Sequence, residues 1–223
     1  MTAQPISGRN LLRETFAVIG SVYVPLLIIC SPLFIFRVLK LSEKLGSASV
    51  ALNIIYSCVL IPLVRGAVIF YLYRSLTGNQ VTVNEAFQQA NRRLWPLILV
   101  FSKSALMVFA GSIALIIPGV YLACRLLFAP CATVIENCSD VDSLNSSFQL
   151  TQGREWLVFR SSCLISFVYF IPGLLITILI DPTGISLASN LAGNATVFLV
   201  APLTNVFGIL LYLRLRESAA TIK

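Results

Sequence analysis

Apolar runs of about 20 residues recur along this chain, and each, coiled as a helix, is long enough to cross a hydrocarbon layer about 30 Å thick. Lipid offers the backbone no hydrogen bonds, so every N–H and C=O in such a run must pair within the chain. No run shows the strict alternation of a barrel strand, which leaves helices. Apolar residues make up 57% of the 223 and charged residues 11%, where a soluble domain carries about 25% charged residues. A chain so poor in charge cannot cover itself with polar surface. The expectation is an all-α polytopic membrane protein with an internal repeat.

The runs predict six transmembrane helices, at about 12–39, 50–74, 95–117, 120–135, 157–180 and 190–214, in a single integral membrane domain over 1–223. Pro25 and Pro32 are expected to bend the first, and Pro62 and Pro130 lie in the second and fourth. Pro118-Gly119 and Asp181-Pro182-Thr183-Gly184 read as turns, and Pro172-Gly173 as a kink or a break in the fifth helix. The polar start, residues 1–10, shows no cleavable signal, so the first helix reads as a retained anchor.

Two shorter segments have a different pattern and are expected to lie as amphipathic helices in the cytoplasmic interface, at about 82–94 and 140–152. In the first, Thr82 and Glu85 stand three apart as a capping box, and Val83, Ala86, Phe87, Ala90 and Leu94 share one face. In the second, Ser139 or Asp140 caps a helix whose face is Val141, Leu144, Phe148 and Thr151. Trp95 and Trp156 open the helices that follow, at the depth an indole prefers. Phe87, Trp95, Phe148 and Trp156 are therefore the expected interfacial anchors. A shift of 61 residues places Phe87-Gln88 on Phe148-Gln149, Arg93 on Arg154 and Trp95 on Trp156, which marks the repeat.

Sixteen Lys and Arg face nine Asp and Glu, a net charge of +7. The basic residues cluster at the ends of apolar runs, which fits membrane topology and anionic lipid headgroups rather than nucleic acid. Their distribution favours both termini on the cytoplasmic side.

Little in the chain suggests catalysis. There is no histidine, the commonest general base and metal ligand, and no pair of acids lies deep in an apolar run. No enzyme activity, metal or cofactor is expected. Cys124, Cys131 and Cys138 are spaced by seven, about 10 Å apart along a helix, too far to grip one ion, and read as small packing residues. Asn190, Asn194 and Asn205 either line a polar path or bond neighbouring helices, and Lys103 is expected to snorkel. Arg65 and Arg125 stand out. Each lies near mid-depth of its run, where a charge is costly and faces protein, water or a polar lipid group, so each either bonds helix-end carbonyls or snorkels through a thinned bilayer, or marks an anionic lipid or ligand site between the second and fourth helices.

The run Ile117-Pro118-Gly119-Val120-Tyr121, with Arg125, Phe128, Glu136 and the close Gln152-Gly153-Arg154-Glu155-Trp156, resembles a broad group of bacterial six-helix membrane proteins. That group is similar to the membrane domain attached to some glycerophosphoryl diester phosphodiesterases. The resemblance implies a six-helix fold in the bacterial cytoplasmic (inner) membrane and implies no reaction, since the phosphodiesterase barrel is absent. Two roles follow as expectations. In one, the protein organises membrane or anchors a soluble partner through its cytoplasmic face and anionic lipid. In the other, it transports or handles a lipid through a site near Arg65 and Arg125.

Overall fold

The computed structural model describes residues 8–41, 48–180 and 187–220, and every regular element among them is helical. The order is α1 (Gly8–Leu41), α2 (Ala48–Ile55), a π turn (Tyr56–Leu60), α3 (Ile61–Leu76), α4 (Val83–Arg92), α5 (Leu94–Ala114), α6 (Ile116–Leu126), α7 (Ala129–Ile135), α8 (Asp140–Thr151), α9 (Glu155–Ile180) and α10 (Leu187–Ala220). Among the described residues, six stretches are long and apolar enough to cross a membrane: Leu11–Val38, Leu52–Leu76, Leu94–Ile113, Ile117–Ile135, Glu155–Ile176 and Leu191–Ala219. They coincide with the six apolar runs. The turn at Asp181–Gly184 and Asn190's side chain fall outside the described residues.

α10 is the centre of the bundle. It packs along both α1 and α9 and reaches α3 and α8, burying Phe207, Leu211, Tyr212 and Leu215 against residues such as Leu26, Ile29 and Leu72. The outward faces of α5 and α9 leave Leu106, Phe109, Ile113, Phe167, Phe170 and Leu174 exposed. An apolar surface of that extent calls for an apolar surround.

Prolines set several of the local departures from a plain helix. Pro62 lacks the N–H that Cys58 C=O would accept, and its ring crowds that carbonyl. The chain widens just before it, and Ile61 N–H reaches the carbonyl of Tyr56 five residues back. Pro130 acts likewise on Leu126, so the fourth run, expected as one helix, is divided into α6 and α7 at Leu127-Phe128. By contrast α9 passes through Pro172-Gly173 unbroken.

The expected Pro118-Gly119 turn is corrected. The chain reverses at Leu115, which is extended (φ −165°, ψ 150°), and Pro118 and Gly119 belong to the first turn of α6, where a missing N–H costs no hydrogen bond. Gly119 is instead required by packing: a methyl there would stand 2.9 Å from Ser112 Cα on α5.

The two short helices dock differently. α4 carries the expected capping box, with Glu85 N–H donating to Thr82 Oγ1 at 3.3 Å and Thr82 N–H to Glu85 Oε2 at 3.1 Å. It buries Ala86 and Ala90 against α3, where Gly66 leaves room for Ala90 and Leu97. α8 is capped by Ser139, and of its expected face Thr151 is buried and Leu144 and Phe148 half-buried, but Val141 is exposed and Ser143 and Ser147 are the buried residues beside Thr151. The reason is a set of hydroxyl bonds. Thr133 meets Ser143 at 2.9 Å, and Ser147 donates to Arg125 C=O at 2.6 Å, so polar groups on α6 and α7 select the small hydroxyl face.

Candidate ligand-binding cavity

Arg65 lies on α3 nine residues before Arg74, about 14 Å along the axis, midway along its apolar stretch. It projects into a cavity of about 480 Å³ bounded by α1, the α2–α3 span, the α6–α7 junction, α9 and α10. The guanidinium is exposed there, and among the described residues it has no hydrogen bond or ion pair. No carboxylate is among the described residues lining the cavity. A full positive charge thus faces the space unanswered.

The rest of the lining is apolar wall with a few polar groups. Arg37, near the end of α1, donates to Asn194 Oδ1 at 3.4 Å. Asn205, also in the lining, donates to its own helix at Ala201 C=O, 2.9 Å. Ser162, Ser166 and Tyr169 line it from α9 at i, i+4 and i+7, one face of that helix. Tyr56, carried by the π turn, stacks on Phe36 at 4.6 Å between centroids and also lines the space. π turns often stand at functional sites.

Arg125 is not part of this site. Nη1 donates to Tyr121 Oη at 2.6 Å and lies 3.4 Å from Glu155 Oε1, and Nη2 donates to Phe148 C=O at 2.7 Å. The same group lies over the rings of Tyr121 and Phe148, 5.5 and 5.0 Å from their centroids, and Nε alone is buried without a partner. It ties α6 to the last turn of α8, whose carbonyls attract a cation, and to the start of α9. The two arginines expected to share one site therefore occupy separate environments.

The bundle end that gathers α4, α8 and both described chain ends is rich in arginine, and much of that charge is engaged by the protein. Arg214 pairs with Glu14 at 2.8 Å and Glu217 at 3.3 Å. Arg216 reaches Glu136 at 3.4 Å, and Tyr212 donates to the same carboxylate at 2.7 Å. Arg154 donates to Leu215 C=O at 3.2 Å and to Ser218, and Arg93 to Asn137 C=O at 3.4 Å. Lys103 does not extend alone but pairs with Asp140 at the start of α8, and that hydrogen bond holds the Asp140 carboxyl below its usual range.

Trp95 and Trp156 point off the bundle, 70% and 73% exposed. Phe87 and Phe148 are half-buried, Phe148 as the ring beneath Arg125. Cys131 lines the cavity, Cys124 is buried beside Arg125, and Cys138 lies near Glu136, all three as free thiols. Sequence reading missed Arg37, Ser162, Ser166 and Tyr169. The spacing of the last three was a usable signal, but only the placement of α9 opposite Arg65 gives it meaning. No protein family, curated protein or solved structure matches this chain.

Proposed function

We propose that this chain is a non-enzymatic integral membrane protein that holds an anionic amphiphile in the cavity at Arg65. One observation carries the reading: a guanidinium midway along a candidate span lines a largely apolar cavity with no carboxylate among the described residues to pair with. A bare charge at such depth costs about 3 kcal/mol, and an anionic headgroup would offset that cost with charge-assisted hydrogen bonds. The proposal includes a cytoplasmic position for both termini, which the basic residues at that end of the bundle support. We extend the proposal to kinship with the bacterial six-helix membrane proteins named above, on the strength of Ile117–Gly119, Arg125, Glu136 and Gln152–Trp156.

The amphipathic α4 and α8 and the repeat that relates their flanks belong to the same proposal, as the seat of the bundle in the headgroup layer. A second reading, membrane organisation or the anchoring of a cytoplasmic partner through anionic lipid, draws on the outward Trp95 and Trp156. It is weakened by the internal pairing of Arg93, Arg154, Arg214 and Arg216.

Native mass spectrometry of gently extracted protein tests the proposal. Anionic lipid should stay on the wild type and fall at least about tenfold in Arg65→Leu, an effect worth one charged hydrogen bond, while Arg92→Gln on the exposed face of α4 leaves it unchanged. Retention that ignores Arg65 would remove the basis of this function.

A further inference from the structure

We infer that the headgroup held at Arg65 is a phosphate diester bearing hydroxyl groups and no ammonium, an inference that rests on the cavity reading above. The face of α9 opposite Arg65 supplies the first argument. Elsewhere in the bundle, helical hydroxyls such as Ser21, Ser31, Ser57, Ser112, Thr196 and Thr204 donate to a carbonyl three or four residues back. Ser162 and Ser166 do not; Ser75, Ser102, Ser104 and Ser161 share that lack, but of these six serines Ser162 and Ser166 are the two that line the cavity. Neither they nor the Tyr169 hydroxyl has a hydrogen-bond partner among the described residues, and all three line the cavity over about 10 Å of helix. Ser162 and Tyr169 are half-buried and Ser166 is exposed, so the hydroxyls are open to a ligand that enters, and a ligand that covered them without bonding them would bear a cost. A ligand that carries several hydroxyl or ester oxygens meets them, whereas a simple fatty carboxylate has nothing to offer beyond its charge.

Charge supplies the second argument. Arg65 and Arg37 both line the cavity and no carboxylate does among the described residues. The ammonium of a zwitterionic headgroup would meet two cations and no counter-charge, which disfavours it against a headgroup of net negative charge. The phosphate suits Arg65, whose planar fork can donate to two oxygens at once. The wall supplies the third. α3 and α9 both line the cavity, and Ile61, Val64, Val68 and Ile165 give it apolar surface against which an acyl chain can pack. A phosphorylated polyol would satisfy the same polar groups but leave that apolar wall uncovered, so the ligand assigned here is the lipid.

The test reconstitutes full-length protein in phosphatidylcholine bilayers doped with a minor share of either phosphatidylglycerol or phosphatidylmethanol. The two dopants have the same charge and the same diester and differ in headgroup hydroxyls. Bound lipid is counted by native mass spectrometry after mild extraction. Wild type should retain phosphatidylglycerol about tenfold over phosphatidylmethanol, the effect of one or two hydrogen bonds, and retain phosphatidylcholine at neither Arg65 nor Arg37. In Ser162→Ala/Ser166→Ala/Tyr169→Phe that preference should collapse toward one while total anionic lipid survives, and in Arg65→Leu both dopants should be lost. Thermal unfolding of each variant reports whether the fold is kept.

Equal retention of the two dopants by the wild type overturns the headgroup assignment and leaves the cavity reading standing. Retention that survives Arg65→Leu overturns the cavity reading itself. Displacement of phosphatidylglycerol by inorganic phosphate alone would overturn the lipid assignment in favour of a soluble phosphate ester.

Discussion

Arg65 and Arg125 pose the same physical problem at two places in one bundle, and the fold answers only one of them. Arg125, its side chain 14% exposed, is met by a tyrosine hydroxyl, a helix-end carbonyl, a carboxylate and two ring faces. Arg65 is met by none of these and stands in a cavity. An ionised group among apolar helices must find compensation somewhere. Where protein supplies it, the residue holds helices together. Where protein does not, the remaining source is a ligand, and this difference separates a structural arginine from a binding one.

The sharpest test of that contrast is stability. Arg125→Leu leaves Glu155 and the Phe148 carbonyl without their cation and should destabilise the protein by about 3 kcal/mol, measured by unfolding in mixed detergent micelles. Arg65→Leu should not lower the same quantity, since it breaks no hydrogen bond or ion pair among the described residues and removes an uncompensated charge. Equal losses at the two positions would erase the comparison. Next in size, Glu155→Gln and Ser147→Ala each remove one bond at the α6–α8–α9 junction and should cost about 1 kcal/mol apiece. Phe148→Leu keeps the apolar contact but removes the ring under the guanidinium, for about 0.5 kcal/mol. A larger loss for Phe148→Leu than for Glu155→Gln would mean that the ring, not the carboxylate, dominates Arg125.

Lys103 gives an intermediate case, a cation answered by a single half-buried acid. Its hydrogen bond keeps the Asp140 carboxyl below the usual range, so the folded state binds that proton less readily than the unfolded chain. The pair therefore contributes stability above the ordinary carboxylate value, and the contribution is lost as pH falls through the folded value. The difference between wild type and Asp140→Asn should hold steady from neutral pH to about pH 4 and close below it. A difference that persists in stronger acid would assign the effect of Asp140 to helix capping instead.

Element positions were legible because the signals are local. The six apolar runs gave six candidate spans, and Thr82 with Glu85 gave a capping box with both bonds in place. Reading failed where a neighbour decided the outcome. Gly119 looked like a turn residue because Pro-Gly usually is one, yet the contact with Ser112 uses its missing side chain while Leu115 makes the turn. α8 looked amphipathic by hydropathy, yet Arg125 C=O and Thr133 draw in its hydroxyls. Of the candidate site, Arg65 was visible as a charge out of place. Its surroundings were not, since Arg37, Ser162 and Asn205 lie far apart in the chain.

What the sequence determined by itself is the helical form of this protein and the length and apolarity of its helices. A chain with 57% apolar and 11% charged residues, in runs of helical length, is suited to satisfying its backbone within each run, as lipid would require. The tertiary structure alone decided which polar groups meet. Hydropathy and capping act over a few residues, whereas Arg125 finds Glu155 and Arg65 finds no partner through the packing of helices tens of residues apart, and no local pattern encodes that.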